Sequence, residues 1–145
     1  MKIRKKIHDD WETPDWLLDK IRAEFGEFFD PCPLDANFNG LEVDWKKVNY
    51  INPPYNRKDK EAFILKAYGE SQKGNTSIML LPVSTSTVIF HEVILKHAEI
   101  RFLRGRVKFK GYNSKGEYVE NQCGQHDSML VIFKPQDRLK EKNSK

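Results

Sequence analysis

The chain has only two cysteines among its 145 residues, Cys32 and Cys123, and neither stands in a CxxC spacing. They read as reduced thiols of a cytosolic protein, and no metal site is expected. No apolar run approaches the roughly 20 residues that a membrane span needs. The basic start, Met1-Lys2-Ile3-Arg4-Lys5-Lys6, runs into Asp9, Asp10 and Glu12 where a secretory signal needs apolar residues. The expected setting is therefore cytoplasmic, or the interior of a host cell for a viral or phage protein, with no membrane partner. Neither an internal repeat nor a linker divides the sequence, so one domain is expected over residues 11–134. A basic flexible arm over residues 1–10 and a charged tail over residues 135–145 flank it. The arm either touches phosphate or is simply solvated.

What is present suffices for a core: 39% of residues are hydrophobic and 12% aromatic. Charged residues make up 32% and the formal net charge is +4, which permits a nucleic-acid partner without requiring one. Thr13-Pro14-Asp15 reads as a helix start, with Thr13 as cap and Pro14 at the first helical position. Trp16, Leu17, Ile21 and Phe25 follow at helical spacing, and Gly26 is a stop. Residues 27–30 read as a short buried strand ending in an acid, and residues 34–47 as irregular. A second strand over residues 48–51 leads to a helix over residues 58–71. Residues 77–81 form an unbroken apolar run, as a central parallel strand would. A helix over residues 87–97 and strands over residues 99–103, 107–109 and 128–133 complete the pattern. Residues 111–127 read as a polar loop, and a loop of that length in a compact domain is more often functional or disordered than idle. Strands alternating with helices predict an α/β fold with a mostly parallel central sheet.

The chemistry sits at Asn52-Pro53-Pro54-Tyr55. It follows a strand directly, which is where open α/β sheets bind ligands. An exocyclic amine is a poor nucleophile because its lone pair is delocalised into the ring. Two acceptors can hold that amine and draw it towards tetrahedral geometry: the Asn52 side-chain carbonyl and the Pro53 backbone carbonyl. Pro53 and Pro54 fix the direction of the second acceptor because their φ is locked. Tyr55 offers an aromatic face on which an extruded base can stack. The alternative is a plain Pro-Pro turn with Tyr55 as a packing residue.

The motifs Trp11-Glu12-Thr13-Pro14, Asp30-Pro31-Cys32, Gly40-Leu41 with Asp44-Trp45, and Asn52-Pro53-Pro54-Tyr55 occur in this order. Met79-Leu80-Leu81-Pro82, residues 101–109 and the apolar residues 128–133 come after them. Their order and spacing resemble the phage-type Dam-like DNA N6-adenine methyltransferases over nearly the whole of residues 11–133. The resemblance implies a reduced Rossmann-like methyltransferase fold, S-adenosyl-L-methionine as donor, and double-stranded DNA, at a short site such as GATC, as substrate. It places Trp11, Thr13 and Pro14 near the methionine part of the cofactor. Asp30, with the Pro31-Cys32 turn, would receive the cofactor's ammonium group. Asp44 would face the cofactor's adenine or ribose, with Trp45 packed beside it; Asp35 and Glu42 also qualify as ribose ligands. Arg104, Arg106 and Lys108 would grip phosphate, or else form the basic edge of a hairpin. In the polar loop over residues 111–127, Tyr112, Asn113, Tyr118, Asn121 and Gln122 are candidates for base contacts. His91 and His97 read as surface or packing residues, and His126 beside Asp127 is left out of the catalytic set.

The sequence departs from the usual methyltransferase pattern in lacking a Gly-rich loop after its first strand. Too few residues separate Asp30 from Asn52 for a complete βαβ unit of about 30. Alternative functions are methylation of RNA adenine or protein glutamine, which use the same four-residue motif, or a catalytically inactive DNA-binding protein.

Overall fold

Residues 76–82 and 128–133 are apolar at nearly every position, and a strand buries such a run only when both its faces are covered. The computed structural model describes residues 11–124 and 126–135 and shows what covers them. In chain order the elements are β1 (Trp11–Glu12), α1 (Asp15–Phe25), β2 (Val48–Ile51), α2 (Arg57–Gln72) and β3 (Thr76–Pro82). A π-helical turn (Phe90–Ile94) then runs into the short α3 (Leu95–His97). Four strands follow: β4 (Glu99–Phe102), β5 (Lys108–Tyr112), β6 (Tyr118–Cys123) and β7 (Ser128–Phe133). One sheet has the order β2-β3-β7-β4 and the other β1-β5-β6. The expected basic arm over residues 1–10, and the tail beyond Pro135, lie outside the described residues.

Alternation along the strands builds two cores. Ile51, Met79, Leu81, Met129, Val131 and Phe133 face Phe63, Ile64 and Ala67 of α2, together with Phe90 and Ile94. Tyr50, Ile78, Leu80, Leu130 and Ile132 face Leu17 and Ile21 of α1, with Val107 and Phe109 beside them. Each fully buried aliphatic or Phe side chain contributes about 1.5–3 kcal/mol relative to exposure.

The structure overturns the expected Rossmann-like, mostly parallel sheet. Among the described residues only the β2–β3 ladder is parallel, extended by a single bridge from Phe29 to Asn49. β7 runs antiparallel between β3 and β4, and the second sheet is antiparallel throughout. The molecule is a small α/β domain with one mixed and one antiparallel sheet. An unbroken apolar run reports burial on two faces, not strand direction, and β7 is covered by α2 on one side and by α1 and β5 on the other.

Three smaller differences have local causes. The expected strand over residues 27–30 shrinks to the Phe29 bridge. Thr13 does not cap α1: Pro14 is the residue before the helix and no side chain caps it. Gly26 does end the helix, at φ 86°, with its N–H donating to the Arg22 carbonyl at 2.8 Å. The polar stretch over residues 111–127 is not a loop but mostly the β5–β6 hairpin. Its turn is closed by the Asn113 side-chain oxygen, which accepts from Lys115 N and Glu117 N at 3.0 Å each.

Candidate active site

β2 and β3 are parallel, so their carboxyl ends lie side by side, with Ile51 opposite Met79. Asn52 is the first residue past β2, and the two prolines after it offer no N–H with which to continue the ladder. The chain turns and enters α2 under a cap. The Asn56 side-chain oxygen accepts from Asp59 N at 2.9 Å, and its amide donates to the Asp59 carboxylate at 2.9 Å.

Asn52 is half-buried, and its Nδ2 donates to the backbone carbonyl of Trp11 at 2.9 Å. Trp11 is in turn held by β1, where it pairs with Gly111 of β5. This bond uses one of the two N–H groups and fixes the orientation of the amide, and with it that of its acceptor oxygen. Asn52, Trp11 and Tyr55 line a cleft of about 610 Å³. Its apolar wall includes Leu80, Leu81 and Phe109, and the hairpin contributes Asn113, Ser114, Gln122 and Cys123. Tyr55 is 49% exposed.

Behind this motif the Thr13 and Tyr50 hydroxyls are hydrogen-bonded to each other, and both residues are buried. Burial pushes the Tyr50 phenol far above its ordinary range. The bond to Thr13 works against that shift, and the nearby Asp30 and Tyr55 add to it. Tyr50 therefore stays neutral and acts as a structural tie between the β1–α1 junction and β2.

Among the residues nominated from sequence, the cleft brings together Trp11, Asn52, Tyr55, Asn113 and Gln122. Thr13 and Pro14 are buried beside it. Asp30 is half-buried, with one carboxylate oxygen accepting from Cys32 N at 2.8 Å. Asp30 does not line the cleft, although it is close enough to Tyr50 to act on its phenol together with Tyr55. The side chains of Cys32 and Trp45 belong to the α2-side core, where Trp45 stacks on Phe63 and its Nε1 donates to the Gly40 carbonyl at 2.8 Å. Gly40 in turn packs so tightly on Pro31 that a Cβ there would stand 1.9 Å from the Pro31 oxygen. Asp35, Glu42 and Asp44 are exposed.

Arg104, Arg106 and Lys108 are exposed on the β4–β5 connection and the start of β5. Leu103 N donates to the Ser128 carbonyl at 3.1 Å, which sets this connection beside the His126–Ser128 side of the cleft. Arg106 lies 3.7 Å from the Asp127 carboxylate, an exposed pair. His97 stacks on Tyr68, and His91 bonds to the Thr85 carbonyl at 2.6 Å, which are packing and surface roles.

Sequence reasoning missed Lys60, Ser84, Cys123 and His126 as cleft residues. Lys60 left one usable signal, a cation in the first turn of a helix, where the macrodipole disfavours it. Among the described residues no group of three or more His, Cys, Asp or Glu side chains is placed to hold a metal ion. None of the helices there is long and apolar enough to cross a membrane.

No curated protein and no solved structure matches the chain. A family model described as DNA N-6-adenine-methyltransferase (Dam) matches residues 1–144, so nearly the whole sequence, with Asn52-Pro53-Pro54-Tyr55 at the cleft, is accounted for by one family. The chain belongs to the DNA N-6-adenine-methyltransferase (Dam) family.

Proposed function

We propose that this chain transfers a methyl group from S-adenosylmethionine to the N6 amine of an adenine turned out of double-stranded DNA. The observation that carries the reading is the Asn52 amide, whose nitrogen donates one N–H to the Trp11 carbonyl and so fixes the orientation of its acceptor oxygen. In this reading Asn52 Oδ1 and the Pro53 carbonyl accept the two N–H bonds of the target amine. Its lone pair is freed from the ring and pointed along the line of transfer, so catalysis is mainly positioning. Tyr55, at the rim of the same cleft, stacks on the extruded base.

The cleft has the size for the cofactor and Trp11 in its lining, while Thr13, Pro14, Asp30, Asp35, Glu42 and Asp44 stand outside that lining. Ligand sites of about 300–1,000 Å³ are usual for small molecules, and the cleft falls within that range at about 610 Å³. S-adenosylmethionine supplies a methyl group activated by a sulfonium. Trp11 would lie beside its methionine part, and Thr13 and Pro14 would shape the wall behind. The Asp30 carboxylate would receive its ammonium, and one of the exposed acids Asp35, Glu42 and Asp44 would take the ribose. Cys32 and Trp45 would act from the core, by holding the Pro31 turn in place. Arg104, Arg106 and Lys108 would bind the phosphates of the duplex, and Gln122 and the amide nitrogen of Asn113, whose oxygen is held by the turn, would reach base edges.

The test is transfer of a labelled methyl group to unmethylated duplex DNA, with nucleoside analysis of the product. The expected product is N6-methyladenine, lost in Asn52→Ala with cofactor binding intact and strongly reduced in Tyr55→Ala without loss of fold. Cofactor binding with no transfer to any DNA would turn the reading to RNA adenine or protein glutamine. Absence of cofactor binding would sink the assignment of the donor.

A further inference from the structure

On the α2 side of β3 lies a second cavity, of about 330 Å³, which shares Lys60, Leu81, Pro82 and Ser84 with the cleft at Asn52. Lys60 is thus placed where the two cavities meet, and it is half-buried. The other lysines of comparable burial have carboxylate partners: Lys66 lies 4.0 Å from Glu70, and Lys110 lies 2.9 Å from Asp15. Lys60 makes no ion pair or side-chain hydrogen bond among the described residues. Its neighbouring acids are engaged elsewhere, Asp59 with Asn56 and Glu61 with Arg57 at 3.0 Å. Two costs therefore fall on this ammonium with no return from the chain itself. It is partly desolvated, and it sits in the first turn of α2, where the helix dipole repels a cation.

We infer that Lys60 holds a DNA phosphodiester next to the target nucleotide, an assignment that rests on the methylation reading above. A strand laid across the shared lip would put its extruded base in the cleft with Asn52 and Tyr55, its phosphate on Lys60, and its continuing backbone over the second cavity. The shared lip also carries Ser84, with Ser86 in the second cavity, and hydroxyls suit a phosphate. Lys58, exposed on the same turn, continues the cationic surface outwards, whereas Arg57 is paired with Glu61. That favours a polyanion passing over the site rather than a small carboxylate enclosed within it. Because Asn56 already caps α2, the group that holds the anion is the side-chain ammonium and not the helix end.

The experiment is titration of duplex DNA onto the full chain across a range of salt, for wild type, Lys60→Gln and Lys60→Arg, alongside S-adenosylmethionine affinity and thermal melting. Removing one phosphate contact should make the slope of log K against log salt shallower by about 0.9. Lys60→Arg should restore the slope, while cofactor affinity stays unchanged in both variants. Lys60→Gln should melt no lower than wild type, because it removes a cation that the chain leaves unpaired; a merely structural lysine would behave in the opposite way. An unchanged slope in Lys60→Gln overturns the inference. So does a fall in cofactor affinity with the slope unchanged, which would give Lys60 to the cofactor's carboxylate. The slope is read without turnover, so a chain that binds DNA but transfers no methyl group fails the methylation reading and leaves this result standing on its own.

Discussion

Replacing Asn52 with aspartate tests the site at a single atom. The side chain keeps its shape, but the nitrogen that donates to the Trp11 carbonyl at 2.9 Å becomes an oxygen. An ionised carboxylate has no proton to give, so two oxygens would face each other across that distance. The new carboxyl must swing away or take up a proton. Leaving the carbonyl unpaired costs about 1–3 kcal/mol. At about 2–4 °C per kcal/mol for a domain near this size, the melting temperature should fall by some degrees up to about 10 °C. Transfer should suffer more, because the acceptor for the amine loses its orientation. Loss of one oriented group at a transition state costs about 10²–10³-fold in rate, the magnitude seen for oxyanion-hole donors. The pH dependence gives the sign. Facing a carbonyl raises the folded pKa of the new carboxyl above its unfolded value of about 3.9. Its protonated form can donate to Trp11, so its contribution is fully present below the unfolded pKa and is lost as pH rises through the folded one. The deficit of the variant against wild type should therefore widen from acid towards neutral pH. Thermal melting across that range, with labelled transfer at neutral pH, measures both parts. Equal melting and equal transfer at neutral pH, or a deficit that widens towards acid, would refute the reasoning.

Three further outcomes follow from the same structure. Tyr50→Phe and Thr13→Val should each cost about 1–3 kcal/mol by leaving the partner hydroxyl buried and unpaired. In a double-mutant cycle by urea unfolding, the double variant should lose clearly less than the sum of the two. Gly40→Ala should cost about 3 kcal/mol or more, since its Cβ would meet the Pro31 backbone rather than a side chain that can move; a melting temperature within a degree or two of wild type would contradict the packing of that turn. Arg101 binds Glu24 through two bonds of 2.6 and 2.7 Å, and this bond chiefly holds the Glu24 carboxyl below its ordinary range. That small, exposed contribution is present above the unfolded glutamate pKa of about 4.3 and is lost as pH falls through the lower folded one. The stability difference between wild type and Glu24→Gln should accordingly close in acid, as followed by melting, and raised salt should shrink it at neutral pH.

How much of this was legible in the sequence depends on whether a residue's role is local. The helix over Asp15–Phe25, its stop at Gly26, and the strand that delivers Asn52 follow from spacing, from glycine's access to positive φ, and from the prolines' missing N–H. The direction of β7 did not follow, because Met129 to Phe133 look the same whichever way the strand runs. The hairpin was hidden for the opposite reason. All but one residue of β6 are exposed and its composition is polar, so it shows neither alternation nor an apolar run, and only its pairing with β5 makes it a strand. At the site, Asn52 and Tyr55 were legible because the motif is contiguous. Lys60, Ser84 and His126 were not, because the cleft gathers them from α2, the end of β3 and the approach to β7.

The hairpin also changes how the site must be understood. Its strand β5 pairs with β1, and β1 carries the carbonyl that fixes the Asn52 amide. The same hairpin turns Asn113 and Gln122 into the cleft. The surface proposed to read DNA and the acceptor proposed to hold the target amine are thus linked by one ladder, from β6 through β5 and β1 to Asn52. The β1–β5 pairing spans only Trp11 with Gly111 and Glu12 with Lys110, and it is reinforced by Lys110 reaching Asp15 at 2.9 Å. A ladder this short adds few hydrogen bonds of its own, each of about 0.5–1.5 kcal/mol net. A displacement of the hairpin by bound DNA would therefore be felt at Trp11, and through it at the Asn52 carbonyl. In such an arrangement a duplex that seats the hairpin well also orients the acceptor well, so discrimination between DNA sites would appear in the rate of transfer as well as in binding.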